Sequence, residues 1–104
     1  MTDTGVLMVR VYLTEGDHQL QELLSCLHDE LKVKGVTVMR GIAGFGASGK
    51  IHLASLIDIS LNLPLVLEFF DEAGKVHEAL RRIHDFVGEG HVVTWPAQLN
   101  IRED

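Results

Sequence analysis

The sequence predicts an α+β fold whose strands and helices follow one another in the order βαββαβ. Three observations lead to this prediction. Two segments repeat apolar residues at helical spacing, and the segments around them have the period of two or the β-branched composition of strands. Glycine or proline separates most of these segments. The chain has 104 residues, enough for one compact core, so we expect residues 1–104 to form a single domain.

The first strand and the first helix have the clearest patterns. Residues from Val6 to Thr14 alternate, and one side of the alternation is wholly apolar, which predicts a strand. From His18 onward leucines recur at helical spacing, with Asp17 as the expected N-cap and Gly35 as the residue that ends the helix. These leucines are Leu20, Leu23, Leu24, Leu27 and Leu31.

The middle of the chain predicts a strand, a glycine-rich loop and a further strand. Residues from Val36 to Ala43 are β-branched and apolar, and glycines interrupt the chain directly after them. Apolar residues occupy most odd positions of residues 51–63 and few even ones, so this segment is predicted as a strand rather than a helix. Pro64 has no N–H group, so we expect the strand to bend there, or to lie on an edge, before residues 65–70 continue it.

A second helix and a last strand complete the order. Asp71 is the expected N-cap of this helix, which repeats apolar residues from Val76 to Val87 and ends at Gly88. The last strand is expected from His91 to Trp95, with Pro96 interrupting it. Two helices packed on one face of a four-stranded antiparallel sheet form a ferredoxin-like sandwich. A long loop is expected between its second and third strands.

The composition argues against several classes of function. The 9 Lys and Arg residues against 15 Asp and Glu give a formal net charge of −6, which is unsuited to a general nucleic-acid or anionic-membrane surface. No apolar stretch reaches the ~20 residues of a membrane helix, so we expect no membrane insertion. The single cysteine, Cys26, and the absence of a recognisable leader predict a reducing, cytoplasmic compartment.

The segment from Gly44 to Lys50 matches the phosphate-binding patterns G-x-G-x-x-G and, incompletely, G-x-x-x-x-G-K. Both patterns must open a helix, but strand periodicity follows here, and Ile51 stands where a hydroxyl should bind Mg²⁺. Two other interpretations are a flexible connection and a local anion site. The charges favour the anion site, because residues 31–57 and 90–102 contain no acid. These windows hold five of the basic residues: Lys32, Lys34, Arg40, Lys50 and Arg102.

Neither a metal site nor a catalytic site is predicted. His77 and His84 are seven residues apart on the second helix, but the sequence has no H-E-x-x-H or C-x-x-C pattern. We interpret both histidines as solvated surface residues. Cys26 borders the apolar face of the first helix and is expected to be a small buried hydrophobe rather than a nucleophile.

Three short motifs resemble the PII signal-transduction proteins. They are Gly44-Phe45-Gly46 at the start of a long loop, Leu63-Pro64-Leu65 in the next strand, and Gly88-Glu89-Gly90-His91 after the second helix. Residues 6–101 are more closely similar to the uncharacterised PII-like family, with its V-Y-L-T-E start. This resemblance implies a homotrimer of ferredoxin-like subunits with a small effector in the clefts between them. It also implies a loop that reports the effector to a partner, often a membrane transporter or an enzyme.

The resemblance assigns the ligand to the two glycine segments. The first matches the start of the loop and the second matches a phosphate-contacting loop, while Arg102 matches a C-terminal phosphate-binding arginine. His91 stands in place of a phosphate-binding lysine, so the charge there would depend on pH near neutrality. The loop has no tyrosine, so control by nucleotidylation is not expected. The predicted ligand-binding residues are Gly44, Gly46, Gly49, Lys50, Gly88, Gly90, His91 and Arg102.

The predicted function is a regulatory protein that binds a small anion, foremost an adenine nucleotide, and signals through its glycine-rich loop. We expect no catalytic activity, resident cofactor or bound metal. Three alternatives share the fold. They are a CutA-like trimeric metal-binding stress protein, an amino-acid-sensing module of the ACT type, and an acylphosphatase, although the G-x-x-Q-G-V-x-F-R loop of the last is absent. The sequence leaves open the identity of the effector and of the partner.

Overall fold

A computed structural model describes residues 2–14, 19–45, 51–53 and 63–102. Six strands and two α-helices lie within these ranges. They are β1 (Thr2–Thr14), α1 (Gln19–Ser25), β2 (Val36–Arg40), β3 (Ala43–Phe45), β4 (Ile51–Leu53), β5 (Pro64–Asp71), α2 (Ala73–Ile83) and β6 (Val92–Ile101). A π-helical turn, Cys26–Glu30, continues α1.

Four of the strands form one antiparallel sheet in the order β2-β5-β1-β6. The long strand β1 pairs with β5 through residues 7–14 and with β6 through residues 2–11. With α1 between β1 and β2, and α2 between β5 and β6, this is the ferredoxin-like topology. The predicted fold class is therefore confirmed. The long connection between β2 and β5 also contains β3 and β4, which pair as a separate two-stranded sheet.

The two helices cover one face of the sheet. Successive side chains of a strand point to opposite faces, and paired residues such as Val11 and Leu67 point to the helices, where both are fully buried. Leu23 of α1 and Ile83 of α2 pack against them. The buried core consists of Val9, Val11, Leu13, Leu23, Cys26, Leu27, Leu31, Leu65, Leu67, Phe69, Val76, Ala79 and Ile83.

The other face of the sheet, which we call the open face, is also largely apolar. Tyr12 and Met39 there are 42% and 43% exposed. Near its centre Arg10 and Glu68 form an ion pair with Nη2 and Oε1 2.7 Å apart, and the guanidinium lies 5.2 Å from the ring centre of Trp95. The hydrogen bond to Glu68 raises the pKa of Arg10. The alternation places on this face Met8, Arg10, Tyr12, Thr37, Met39, Val66, Glu68, Phe70, Val93 and Trp95.

The first helix ends earlier than predicted. From Cys26 the hydrogen bonds widen to the π pattern, in which the Leu31 N–H donates to the Cys26 carbonyl at 3.0 Å. Lys32 then adopts the left-handed conformation, with φ 52°. The expected end at Gly35 is therefore wrong, because the widened turn already places Leu31 in the core. The expected N-cap, Asp17, lies outside the described residues.

Asp71 is a buried link between elements rather than the N-cap of α2. It is the last residue of β5 and its side chain points to the core face, where it is 4% exposed. Its carboxylate accepts hydrogen bonds from the Lys34 N–H at 3.0 Å and from the Glu72 N–H at 2.8 Å. Glu72 is the N-cap residue, without a capping side-chain hydrogen bond. The helix also ends at Ile83, before the predicted Gly88.

Both prolines lie inside the sheet. Pro64 is the first residue of β5, an inner strand, and its carbonyl accepts a hydrogen bond from the Gly41 N–H at 2.7 Å. Pro96 does not interrupt the last strand, which continues to Ile101 with Pro96 opposite Leu7. The interruption predicted at Pro96 is wrong because β6 is an edge strand, where a missing N–H group is tolerated.

None of the helices in the described ranges is long and apolar enough to cross a membrane.

Replacing Asp71 by alanine is expected to lower the free energy of unfolding by about 2 to 4 kcal/mol, because the buried Asp71 carboxylate is the acceptor of two part-buried backbone N–H groups. Urea unfolding measures the loss. Glu72→Ala is the matched control, since this neighbouring acid is exposed and makes no capping bond; its effect should stay within ~0.5 kcal/mol. Equal losses in the two variants would show that the Asp71 carboxylate does not hold these elements together.

Candidate functional site

Gly44 and the second predicted glycine segment lie at the same end of the sheet but beside different strands. At this end β1 and β2 finish and β5 and β6 begin, as the pairing of Thr14 with Pro64 shows. Gly44, in β3, follows β2, whereas residues 88–91, which we call the 88–91 loop, precede β6. Gly44 nevertheless lies beside Pro64 of the inner strand β5, and β1 separates β5 from β6. One chain therefore presents Gly44 and the 88–91 loop on different strands.

The 88–91 loop has features that are typical of an anion-binding turn. Its residues are exposed, and Gly90 has φ +84°, a left-handed conformation that glycine adopts without strain. Within the described ranges, no hydrogen bond is found for the backbone N–H groups of this loop. Such N–H groups in a glycine turn can point together at a phosphate oxygen.

His91 is fixed to β1 by two hydrogen bonds. The Tyr12 N–H donates to the His91 carbonyl at 2.8 Å. The His91 ring makes the second hydrogen bond, in which Nδ1 lies 3.1 Å from the Tyr12 carbonyl oxygen. A carbonyl oxygen can only accept, so Nδ1 carries the hydrogen of this bond. The base of the loop is thereby anchored to the central strand, and the His91 side chain borders the smaller of the two clefts beside the loop.

Two clefts flank the 88–91 loop. The larger, of about 580 Å³, lies between the end of α2 and the start of β6. It falls in the range of about 300–1,000 Å³ that small-molecule sites occupy. Its lining residues are Leu80, His84, Val87, Gly88, Glu89, Gly90, Val92 and Thr94. The smaller cleft, of about 200 Å³, is lined by Tyr12, Leu13, Thr14, Gln19, Val87, Gly88 and His91.

The described lining of these clefts contains no lysine and no arginine. The larger cleft has His84 and Glu89 as its titratable side chains, and the smaller has His91 and Tyr12. A phosphate group bound here by one chain would meet backbone N–H groups and histidine. Any permanent positive charge must come from another part of the chain or from a second copy.

Only part of the predicted ligand set comes together in one chain. Gly88, Gly90 and His91 form the loop, whereas Arg102 follows Ile101 at the far end of β6, about 30 Å from its start. Gly44 has a packing role, because a Cβ there would lie 3.1 Å from Pro64 Cγ. The predicted residues Gly46, Gly49 and Lys50 lie outside the described residues.

Sequence reasoning missed the walls of the clefts and the partner of His91. The Tyr12 carbonyl reaches His91 only because β1 and β6 pair in one particular register, with Val11 opposite Val92. No local pattern in the sequence predicts that strand register. His84 was interpreted as a solvated helix residue, and the structure adds that it borders the larger cleft.

Among the described residues, the remaining candidate groups, the histidines and Cys26, do not form a metal-binding cluster. The described residues hold no group of three or more side chains that could bind a metal ion. Cys26 is 1% exposed, and burial raises the pKa of its thiol. A protonated, buried thiol is a poor nucleophile.

The structure thus defines a small ferredoxin-like domain with an exposed glycine turn before its last strand. Residues 6–99 match the family DUF190, described as "Uncharacterized ACR". The chain belongs to this family, and its similarity to an uncharacterised PII-like family is confirmed.

Two matches to UPF0166 proteins of Aquifex aeolicus (strain VF5) extend over parts of the chain. In the first, 54 residues are 37% identical, which is 52% of this chain and 51% of the relative. The chain therefore spans about half the length of that relative. In the second, 74 residues are 28% identical and cover 71% of this chain and 75% of the relative.

Three solved structures share the fold. CPII of Thiomonas intermedia K12, with ADP and bicarbonate bound, has a TM-score of 0.69 at 22% identity and covers 94% of this chain and 91% of its own. A putative PII-like signaling protein of Thermus thermophilus has a TM-score of 0.64 at 15% identity, covering 95% and 91%. The divalent ion tolerance protein CutA1 of Ehrlichia chaffeensis has a TM-score of 0.60 at 10% identity, covering 95% and 85%. At these identities the likeness supports the fold alone.

The buried thiol of Cys26 is expected to make stability fall at alkaline pH. An unfolded thiol ionises near pH 8.5, whereas burial raises the pKa of the native thiol. The unfolded chain therefore loses the proton first, so the free energy of unfolding declines as pH rises above about 8.5. Urea unfolding at several pH values should show a smaller decline in Cys26→Ala than in the wild type. The same decline in both would contradict the assignment.

Proposed function

We propose that this protein is a PII-like regulatory protein without catalytic activity, which binds an adenine nucleotide between the subunits of a homotrimer. The observation that carries the proposal is the 88–91 loop, which borders a cleft of about 580 Å³. Gly90 there is left-handed, and the loop N–H groups have no partner among the described residues. Phosphate is the anion that such a turn suits, because several N–H groups can reach one oxygen without a Cβ in the way.

The lining of the larger cleft favours a nucleotide over free phosphate. Leu80, Val87 and Val92 supply an apolar wall beside the loop, and Thr94 and Glu89 supply a few polar groups. A planar base with its sugar needs this combination of apolar surface and sparse hydrogen-bonding groups. The fold neighbour CPII, solved with ADP bound, supports the adenine nucleotide as the first candidate.

The separation of the predicted ligand residues supports a site between copies. Gly44 lies beside Pro64 of β5, the 88–91 loop precedes the edge strand β6, and Arg102 follows the far end of β6. A neighbouring copy can place its own Gly44 segment or Arg102 beside this loop. Arg102 or Lys50 from that copy would add a charge-assisted hydrogen bond to the phosphate.

The open face supports assembly into a homotrimer. It exposes Tyr12, Met39 and Val93 at 42%, 43% and 47%, and a contiguous apolar surface of this kind marks an interface. Arg10 and Glu68, the charged side chains on this face, already pair with each other. Burying the face would therefore leave no unpaired charge.

Signalling would pass through the segment that contains β3 and the glycine-rich loop. Ile42 and Phe45 are 80% and 74% exposed there. Large apolar side chains that are exposed to solvent are suited to contact a partner such as a transporter or an enzyme. For the nucleotide to control that contact, it must bind one conformation of the segment more tightly than the others.

Isothermal titration calorimetry with ATP, ADP, AMP and cyclic dinucleotides tests the ligand. We expect binding of at least one adenine nucleotide and at least a tenfold loss of affinity, about 1.4 kcal/mol, in Gly90→Ala. Alanine strains the left-handed turn, whereas Gly90→Asn should retain more affinity because asparagine tolerates this conformation. Gly74→Ala, with nothing within 4 Å of its Cβ, is the control and should bind like the wild type. No binding of any nucleotide would overturn the proposal.

The likeness to CutA1 makes metal binding the competing function. In that case the same calorimetry would give tight Cu²⁺ or Zn²⁺ binding that disappears in His77→Ala, without a nucleotide response.

Light scattering tests the homotrimer. The expected mass is about three times the 11.5 kDa of one chain. Met39→Glu places a charge on the open face and should reduce the mass, whereas Gln98→Glu adds the same charge to the other face of β6 and should not. A wild-type mass of one chain would remove the site between subunits as well.

A further inference from the structure

We propose that anion binding at the 88–91 loop is coupled to protonation of His91 at Nε2. The inference rests on the proposed function, since it concerns the same loop and the same phosphate. It identifies His91 as the residue that makes affinity for the anion depend on pH.

The coupling follows from the way β1 fixes the histidine ring. Nδ1 is 3.1 Å from the Tyr12 carbonyl oxygen, which requires a hydrogen on Nδ1 whether the ring is neutral or charged. The neutral ring must then be the tautomer in which Nε2 has no hydrogen. The second backbone contact, from the Tyr12 N–H to the His91 carbonyl at 2.8 Å, holds the residue in this place.

A neutral ring of this kind opposes a phosphate. Nε2 and a phosphate oxygen are both hydrogen-bond acceptors, so they repel when they meet. A proton on Nε2 turns the nitrogen into a donor and gives the ring a positive charge, and a charge-assisted bond to phosphate is then available. The bound complex should therefore hold one more proton than the free protein.

No neighbouring cation can substitute for that proton among the described residues that line the two clefts. The titratable groups on the elements around His91 are Tyr12 of β1, His84 and Asp85 after α2, and Glu89 in the loop. Gln19 of α1, which lines the smaller cleft, is neutral. Glu15, Asp17 and His18, which follow β1 in the sequence, lie outside the described residues.

The test compares ADP binding to the wild type and to His91→Lys from about pH 6 to pH 8.5. Lysine keeps its charge over this range, and the titration of the ADP phosphates is common to both proteins. The affinity of the wild type for ADP, divided by that of His91→Lys, should fall as pH rises. The fall should approach tenfold per pH unit in the range where binding takes up one proton. His91→Gln, which cannot gain the proton, should bind weakly throughout and show the pH dependence of the lysine variant.

A second measurement follows the proton itself. Calorimetry in buffers of different ionisation enthalpy measures the number of protons taken up when ADP binds. The wild type should take up more protons than His91→Lys. Nitrogen NMR of the His91 ring should show Nε2 become protonated on binding at neutral pH.

The outcomes separate the two proposals. If ADP binds with the same pH dependence and the same proton uptake to wild type and His91→Lys, this inference is wrong and the proposed function stands. If neither protein binds a nucleotide at any pH, both are wrong.

Discussion

The pairing of β1 with β5 on one side and β6 on the other is the constraint on which the rest of the structure depends. It makes Thr2–Thr14 the shared strand of the sheet and sets which side chains face the helices. It also positions the 88–91 loop. The β1–β6 ladder reaches the pair Val11 and Val92, and the next residues, Tyr12 and His91, bond through backbone and ring. The loop is thus anchored to the most extensively paired strand.

The same sheet has one face that the helices cover and one face, the open face, that they do not. The helices bury one face, and the buried Asp71 carboxylate ties α2 to the segment after the first helix. The open face stays apolar, and its central charges pair with each other. Because Gly44 and the 88–91 loop lie beside different strands of this sheet, an assembly that covers the open face could also bring Gly44 of one copy to its neighbour's loop. Assembly and ligand binding are therefore linked in the proposed function.

Much of the fold could be predicted because the spacing of apolar residues along the chain indicates which side chains are buried. The alternation in β1 and the leucine spacing of α1 gave the element types, and their order gave the topology. The errors fall where a long-range contact overrides a local rule. Pro96 remains inside β6 because that strand is an edge, and Asp71 faces the core because β5 extends to it. For the site, the motif located the 88–91 loop, but the position of Arg102 depends on strand length and pairing, which no local motif contains.

The backbone amide NMR spectrum of the protein during titration with ADP tests most directly whether the 88–91 loop holds the phosphate. We expect the largest shifts at the amides of Gly88, Glu89, Gly90 and His91, because their N–H groups gain a phosphate acceptor. The amide of Gly74, on the exposed start of α2, serves as an internal reference and should hardly move. Saturable binding that leaves the four loop amides unchanged would contradict the claim that this loop holds the phosphate.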